Sequence, residues 1–270
     1  MSAPKANWHT HTTWCDGAGG VEETILAAIA KGFDEIGFSS HAMLPGRLLD
    51  WTLDGTRGAA YAAEVRSLAR KYAGRIRVRC GVEADFLPGG GDRAEPSREA
   101  YAAIAPDYII GSVHFVRAAD GAAVCVDKSP EDLAAGIAAH FGGDAREFVR
   151  AYYAQVREML ARFPVDIAGH LDLPRKFNAR HPYFDENAAW HLAELEETAD
   201  AAARSGALVE VNTGAISRGW LDDAYPSKTF RDMLRSRGAR FVLSSDAHRA
   251  DAIDCAFDVF GGAERYERLP

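Results

Sequence analysis

Histidine and carboxylate residues recur where short apolar segments of this 270-residue chain end. The first such segment ends in His9 and His11, and the last ends in Asp246 and His248, so each pair is spaced at i and i+2. Side chains two residues apart in an extended chain face the same side, and both members of a pair can therefore reach one point. Residues of the same types end four further segments or lie in the loop after the first one, and these are His41, Glu83, His114, His170 and Asp16.

Such a set of imidazoles and carboxylates indicates a metal centre. Burying these groups together is costly unless a cation offsets the charge and accepts the lone pairs. Nine candidate ligands exceed the four that one zinc ion commonly takes, whereas three ions sharing bridging carboxylates would use the whole set. The nitrogen and oxygen donors leave zinc, iron and manganese open. Two ions about 3.5–4 Å apart can hold a bridging hydroxide and stabilise both oxygens of a phosphoryl transfer.

The elements that must position these residues alternate regularly. Seven short segments rich in β-branched residues are predicted strands: 6–11, 35–39, 76–83, 108–114, 165–170, 208–212 and 240–246. Segments with apolar residues at three- and four-residue spacing are predicted helices: 21–31, 56–72, 97–104, 144–163, 187–205 and 227–237. Strands separated by helices predict an α/β protein with a parallel sheet, because parallel neighbours need long crossover connections. A closed barrel and an open doubly wound sheet both fit, and both gather the carboxyl ends of their strands on one face.

Composition excludes several classes of protein. Lysine and arginine number 31 against 39 acidic residues, and the net charge of −8 disfavours a dedicated nucleic-acid binder. The most apolar stretch, 101–116, is too short and too interrupted to span a bilayer, and the polar N-terminal segment leaves no room for a signal peptide. We therefore expect a cytoplasmic protein without a membrane partner. No linker divides the chain, so residues 1–270 are predicted to form a single domain.

The sequence resembles the PHP superfamily, which is named for polymerase and histidinol phosphatase. The resemblance covers essentially the whole chain and rests on HTHTTWCDG, the EAD segment at 83–85, IIGSVHF, GHLDLPRK, VEVNTG and SSDAH. It implies a distorted, TIM-like (β/α)₇ barrel with three divalent metal ions. The ligands it implies are His9, His11, Glu83 and Asp246 for the first ion, Glu83, His114 and His170 for the second, and Asp16, His41 and His248 for the third.

Within the superfamily, the resemblance implies hydrolysis of L-histidinol phosphate to L-histidinol and phosphate, a step of histidine biosynthesis, by a hydroxide between two ions bridged by Glu83. Asp246 would orient or deprotonate the water, and His248 or a metal-bound water would protonate the leaving alkoxide. Cationic side chains are expected to clamp the phosphate, and the candidates are Arg218, Arg175 and Lys176. Another small phosphate monoester or a nucleotide is an alternative substrate. A metal-binding module without catalysis is an alternative of another class.

Overall fold

The computed structural model describes residues 5–42, 51–53, 55–89, 97–262 and 265–270, and its centre is a parallel β-barrel. In chain order the strands are β1 Ala6–Asn7, β2 Glu35–Phe38, β3 His41–Ala42, β4 Arg77–Asp85, β5 Tyr108–Ser112, β6 Phe115–Arg117, β7 Ala123–Cys125, β8 Ile167–Ala168, β9 Leu208–Asn212 and β10 Phe241–Ser244. Seven of them pair in the order β1, β2, β4, β5, β8, β9, β10, and every pair is parallel. A parallel bridge between Thr10 and Ala247 brings the first and last strands together. The predicted α/β class is confirmed, and the two open alternatives resolve to a nearly closed seven-stranded barrel.

Strands β5 and β8 end two residues earlier than the sequence predicted, because carboxylates capture backbone N–H groups beyond them, whereas β4 runs two residues further than predicted, to Asp85. His114 follows β5, and its N–H donates to Asp85 Oδ1 at 3.0 Å. His170 follows β8, and its N–H donates to Glu210 Oε2 at 3.1 Å. These groups would otherwise extend the ladder. His114 and His170 therefore follow the regular strands, whereas His41 lies in β3 and Glu83 lies in β4.

Helices surround the barrel and bury the outer faces of its strands. They are α1 Val21–Ala30, α2 Gly58–Tyr72, α3 Pro130–His140, α4 Ala145–Arg162, α5 Arg175–Asn178, α6 Ala189–Ser205, α7 Gly214–Ser217, α8 Lys228–Ser236 and α9 Phe257–Phe260, with 3₁₀ turns at Gly55–Arg57, Arg98–Tyr101 and Ala250–Ala252. The prediction of a helix over 97–104 was thus wrong in type, since a short 3₁₀ turn lies there. None of the described helices is long and apolar enough to cross a bilayer.

Two elements near the carboxyl end of the barrel were not predicted. Strands β6 and β7 form an antiparallel hairpin, and helix α3 follows them. Ser129 caps α3 by accepting a hydrogen bond from the N–H of Asp132, and Pro130 occupies the first turn. The hairpin and the helix become one wall of the cavity described below.

The amino end of the barrel interior is filled by large side chains that need glycine beside them. Tyr108 of β5 is buried among Trp8, Ile110 and other apolar residues, and its hydroxyl donates to the carbonyl of Trp8. The ring passes over Gly81 of β4, where an added Cβ would overlap its carbon atoms. A residue without a side chain is therefore needed at position 81.

We predict that Gly81→Ala lowers the free energy of unfolding by about 1–3 kcal/mol, because the new methyl group must displace Tyr108 in a closely packed interior. Gly74→Ala is the matched control, since a Cβ there meets nothing within 4 Å. Urea unfolding of both variants measures the difference. Equal stability of the two variants would contradict this account of the interior.

Candidate metal centre

The Glu83 carboxylate is the centre of a cluster at the carboxyl end of the barrel. Glu83 is only 1% exposed, and its Oε2 lies 2.9 Å from His41 Nδ1, 3.1 Å from His9 Nε2 and 3.5 Å from His11 Nε2. His41 comes from β3, which pairs with β4 so that His41 stands opposite Glu83. One carboxylate oxygen therefore faces three imidazoles.

The second oxygen of Glu83 faces two further histidines. Glu83 Oε1 lies 3.0 Å from His170 Nε2 and 3.5 Å from His114 Nε2. It also accepts a hydrogen bond of 2.6 Å from Ser112 Oγ at the end of β5. Because these neighbours come from different strand ends, the barrel brings together residues that are far apart in sequence.

The closing bridge of the barrel aligns the two i, i+2 pairs. Thr10 separates His9 from His11 and bridges to Ala247, which separates Asp246 from His248. Asp246 Oδ1 consequently lies 3.2 Å from His11 Nε2 and 3.7 Å from His9 Nε2. The predicted same-side placement of each pair is what the structure shows.

A third carboxylate, Asp16, extends the cluster toward its exposed side. Asp16 Oδ2 lies 3.1 Å from His248 Nε2 and 3.7 Å from His41 Nε2, and its Oδ1 lies 3.7 Å from His11 Nδ1. Burial together with the neighbouring His248 and His41 lowers the pKa of His11 to about 3. His11 is therefore neutral near pH 7, as a metal ligand must be.

Several buried atoms at the centre of the cluster are suited to bind a cation and lack hydrogen-bond partners among the described residues. Among the described residues, four buried atoms around the same point have no hydrogen-bond partner: His9 Nε2, His11 Nε2, His41 Nδ1 and Glu83 Oε2. Each unpaired buried polar atom carries a desolvation cost, and divalent ions would satisfy all four. The donor set is nitrogen and oxygen only, which suits zinc, iron or manganese.

The described part of the chain contains three groups of side chains in which the ligand atoms, one from each residue, all lie within 4.8 Å of one another. The groups are His9, His11 and Glu83, then His41, Glu83 and His114, and then His11, Asp16, His41 and His248. They overlap the three sets that the resemblance implies, but His41 also approaches Glu83 and His11 also approaches Asp16. His170 contacts Glu83 without belonging to a group.

Two buried carboxylates behind the cluster were not identified as site residues from the sequence. Glu210 of β9 is fully buried; it lies 2.6 Å from His9 Nδ1 and accepts hydrogen bonds from the N–H of His170 and, at 2.9 Å, from Asn212 Nδ2. Asp85 Oδ1 lies 2.9 Å from His114 Nδ1. A proton held on Nδ1 leaves Nε2 free to face the centre. The available signals were an acidic residue inside the apolar LVEVN segment and an acidic residue two positions after Glu83.

These carboxylates control the charge of the imidazoles in the metal-free protein. Burial opposes a proton on His9, but Glu210 and Glu83 outweigh it and hold the pKa of His9 well above its ordinary value. Burial likewise opposes a proton on His114, yet Asp85 and Glu83 raise its pKa to about 10. Both imidazoles are therefore protonated on both ring nitrogens, and positively charged, near pH 7 when no cation is bound.

A cavity of about 980 Å³ opens onto the cluster, and Arg218 lies in its wall. The Arg218 guanidinium donates to Asp246 Oδ2 at 2.9 Å and lies beside His248 Nδ1 at 3.2 Å. Asp246 has a φ of 48°, a left-handed backbone conformation that non-glycine residues rarely adopt. The fold thus holds Asp246 in an uncommon conformation between the arginine and the histidines.

Of the other two predicted phosphate-binding residues, Lys176 reaches the cavity and Arg175 does not. Lys176 lines the cavity, and its Nζ donates to Asp127 Oδ2 at 3.0 Å and to the Asp127 carbonyl at 2.8 Å. Arg175 does not line the cavity; it donates to Glu186 Oε2 at 2.8 Å and to Asp172 Oδ2 at 3.5 Å. The structure therefore brings Arg218 and Lys176 to the cavity, and Arg175 turns toward the protein behind it.

Comparisons with known proteins agree with this fold. The family model described as "PHP domain" matches residues 7–214. The chain is 32% identical to a probable histidinol-phosphatase of Deinococcus radiodurans, over 92% of this chain and 88% of the relative. It is 26% identical to a histidinol-phosphatase of Bacillus subtilis, over 95% of this chain and 98% of the relative.

Solved structures show the same fold at lower identity. A Listeria monocytogenes structure has a TM-score of 0.82 at 22% identity and covers 95% of this chain and 100% of its own. The histidinol phosphate phosphatase of Lactococcus lactis, complexed with Zn, L-histidinol and phosphate, has a TM-score of 0.62 at 21% identity, covering 91% of this chain and 87% of its own. These likenesses establish the fold.

We predict that Glu210→Gln weakens binding of Zn²⁺ or Mn²⁺ roughly ten- to a hundredfold, because the partners of Glu210 among the described residues are donors and an amide adds a competing N–H. Calorimetric titration of the metal-free protein measures the affinity. Glu197→Gln, on the exposed face of α6, is the control with the same chemical change. Unchanged affinity in Glu210→Gln would show that Glu210 does not orient His9.

We also predict that metal binding releases protons at pH 7, because the positively charged imidazoles of His9 and His114 must each lose one proton before they can coordinate an ion. The affinity should therefore fall as the pH is lowered. Titration in Tris and in HEPES, whose ionisation enthalpies differ, measures the release as a difference in apparent binding heat. Identical heats in the two buffers would mean that these imidazoles are already neutral.

Proposed function

This chain belongs to the PHP domain family, and from that membership we propose that it is a metal-dependent phosphatase that hydrolyses L-histidinol phosphate to L-histidinol and phosphate. One observation carries the proposal: the relative that is 32% identical over 92% of this chain is named a probable histidinol-phosphatase. The histidine and carboxylate cluster, beside a cavity whose wall includes Arg218 and Lys176, supports the same reaction. The residues therefore fit a phosphate monoester and the ions that hydrolysis would need.

We assign three divalent ions to the cluster. Glu83 would lie between two of them, one on the side of His9, His11 and Asp246 and the other on the side of His114 and His170. The remaining ligands, Asp16, His41 and His248, would hold the third. Ions bound there polarise a phosphate ester and acidify water, which is the chemistry that phosphoryl transfer requires.

The side chains around the ions would position the substrate and move protons. Asp246 is anionic because Arg218 and the neighbouring histidines outweigh burial and hold its pKa well below the ordinary value. An anionic carboxylate can orient a water molecule and accept its proton. The proton for the leaving alkoxide would come from His248, which is partly exposed beside Asp246, or, where His248 holds an ion, from a water molecule at the same place.

The cationic side chains would fix the phosphate. Arg218 can share its guanidinium between Asp246 and a phosphate oxygen, because it has five N–H donors. Lys176, held by Asp127, would contribute a second positive charge at the same cavity. Arg175 would act through its bonds to Asp172 and Glu186, which anchor the short helix that carries Lys176.

Further expectations from the sequence stay predictions. These are a single domain over residues 1–270, a cytoplasmic location, and a small phosphate monoester as the binding partner in place of a nucleic acid or a membrane.

Steady-state kinetics of the metal-loaded protein test the proposed substrate. We expect kcat/KM for L-histidinol phosphate to exceed that for phenyl phosphate and for AMP by roughly a hundredfold or more, because the cavity must read polar groups of the substrate. Comparable values for AMP would favour the alternative, a phosphoesterase for nucleotides or other small monoesters. Absence of activity on all three esters would favour a metal-binding module.

A further inference from the structure

We propose that Asp127 binds the ammonium group of the substrate, an inference that rests on the proposed function and names the residue that selects for the amine. In L-histidinol phosphate, two carbon atoms separate the ammonium nitrogen from the ester oxygen, so the two atoms lie about 3 Å apart. The partner of the ammonium must therefore lie close to the phosphate site. A carboxylate is the natural partner, since charge-assisted hydrogen bonds are the stronger ones.

Four carboxylates line the cavity in the described part of the chain, and three of them have other roles or places. Asp16 and Asp246 face the imidazoles of the cluster. Asp132 lies in the first turn of α3, where its half-exposed carboxylate accepts a hydrogen bond of 2.7 Å from Ser129 Oγ. Asp127 is the remaining one.

Asp127 follows strand β7 and is well placed to accept another donor. Its side chain is 26% exposed and lines the cavity together with His114, His170 and Arg218. Lys176 occupies Oδ2, whereas Oδ1 receives, among the described residues, only a weak contact of 3.8 Å from the Cys125 thiol. A carboxylate offers about four acceptor positions, so Oδ1 can take an ammonium group while Oδ2 keeps Lys176.

The Lys176–Asp127 pair presents charges in an arrangement that matches the substrate. The lysine ammonium and the aspartate carboxylate lie 3.0 Å apart in the cavity wall. The substrate carries a phosphate and an ammonium on adjacent carbon atoms, so its anion can face Lys176 and its cation can face Asp127. Each charge of the substrate then meets an opposite charge, which favours this ester over one without the amine.

A simpler role for Asp127 is to position Lys176 without touching the substrate. The two roles can be distinguished by a ratio of two kcat/KM values. The first value is that for L-histidinol phosphate, and it is divided by the value for 3-(imidazol-4-yl)propyl phosphate, which has the same imidazole and phosphate but no amine. An ammonium site changes this ratio. A positioning role changes both values by the same factor and leaves the ratio constant.

The experiment measures this ratio in the metal-loaded wild type, Asp127→Asn, Lys176→Met and Asp132→Asn. We expect a wild-type ratio of roughly ten to a hundred and a ratio near one in Asp127→Asn, mainly through a higher KM for L-histidinol phosphate. Lys176→Met should lower both values but keep the preference for the amine. Asp132→Asn, the same change at the other carboxylate of this wall, should keep the wild-type ratio.

The double variant Asp127→Asn/Lys176→Met removes the pair as a unit and leaves no partly buried charge unpaired, so the test survives if Asp127→Asn alone unfolds. Its ratio should also be near one. A wild-type ratio near one, or a wild-type ratio retained in the Asp127 variants, would overturn the ammonium site. Failure of the proposed function would look different: the wild type would hydrolyse both imidazole esters no faster than phenyl phosphate, and the ammonium site would be overturned with it.

Discussion

The buried carboxylate of Glu83 imposes the constraint on which the rest of this structure depends. Five imidazoles lie within 3.5 Å of its two oxygens, and one oxygen has no hydrogen-bond partner among the described residues. Such a group of facing acceptors is stable only when protons or cations lie between its members. In the metal-free protein that need is met by protons on some of the histidines. Divalent ions would meet it better, because they satisfy several acceptors at once.

The two ends of the barrel are built differently, and both support the residues around Glu83. The amino end is packed with large apolar side chains, with Tyr108 crossing Gly81, and provides a rigid base. At the carboxyl end the strands stop, and carboxylates such as Glu210 and Asp85 replace the ladder by binding both the backbone and the rings of the ligand histidines. A rigid base and a supporting layer of hydrogen bonds hold ligands within the small tolerances that metal coordination demands.

The sequence predicts much of this arrangement, for identifiable reasons. The seven barrel strands were recognisable because buried parallel strands are nearly continuous runs of β-branched residues, and the ligands were recognisable because they follow those runs. The β6–β7 hairpin was missed because its strands of three residues are too short to show a period. Glu210 was missed because one acidic residue in LVEVN does not reveal which neighbour it faces. Arg175 and Lys176 are adjacent in sequence, and only the turn of α5 decides which of them reaches the cavity.

The proposed position of Glu83 between metal ions can be tested by anomalous X-ray scattering from crystals of the metal-saturated protein, recorded above and below the absorption edge of the metal. Anomalous peaks are expected on both sides of the Glu83 carboxylate, each about 2.0–2.2 Å from one of its oxygens, and a further peak is expected between Asp16 and His248. Metal-saturated crystals without an anomalous peak within bonding distance of Glu83 would contradict this position.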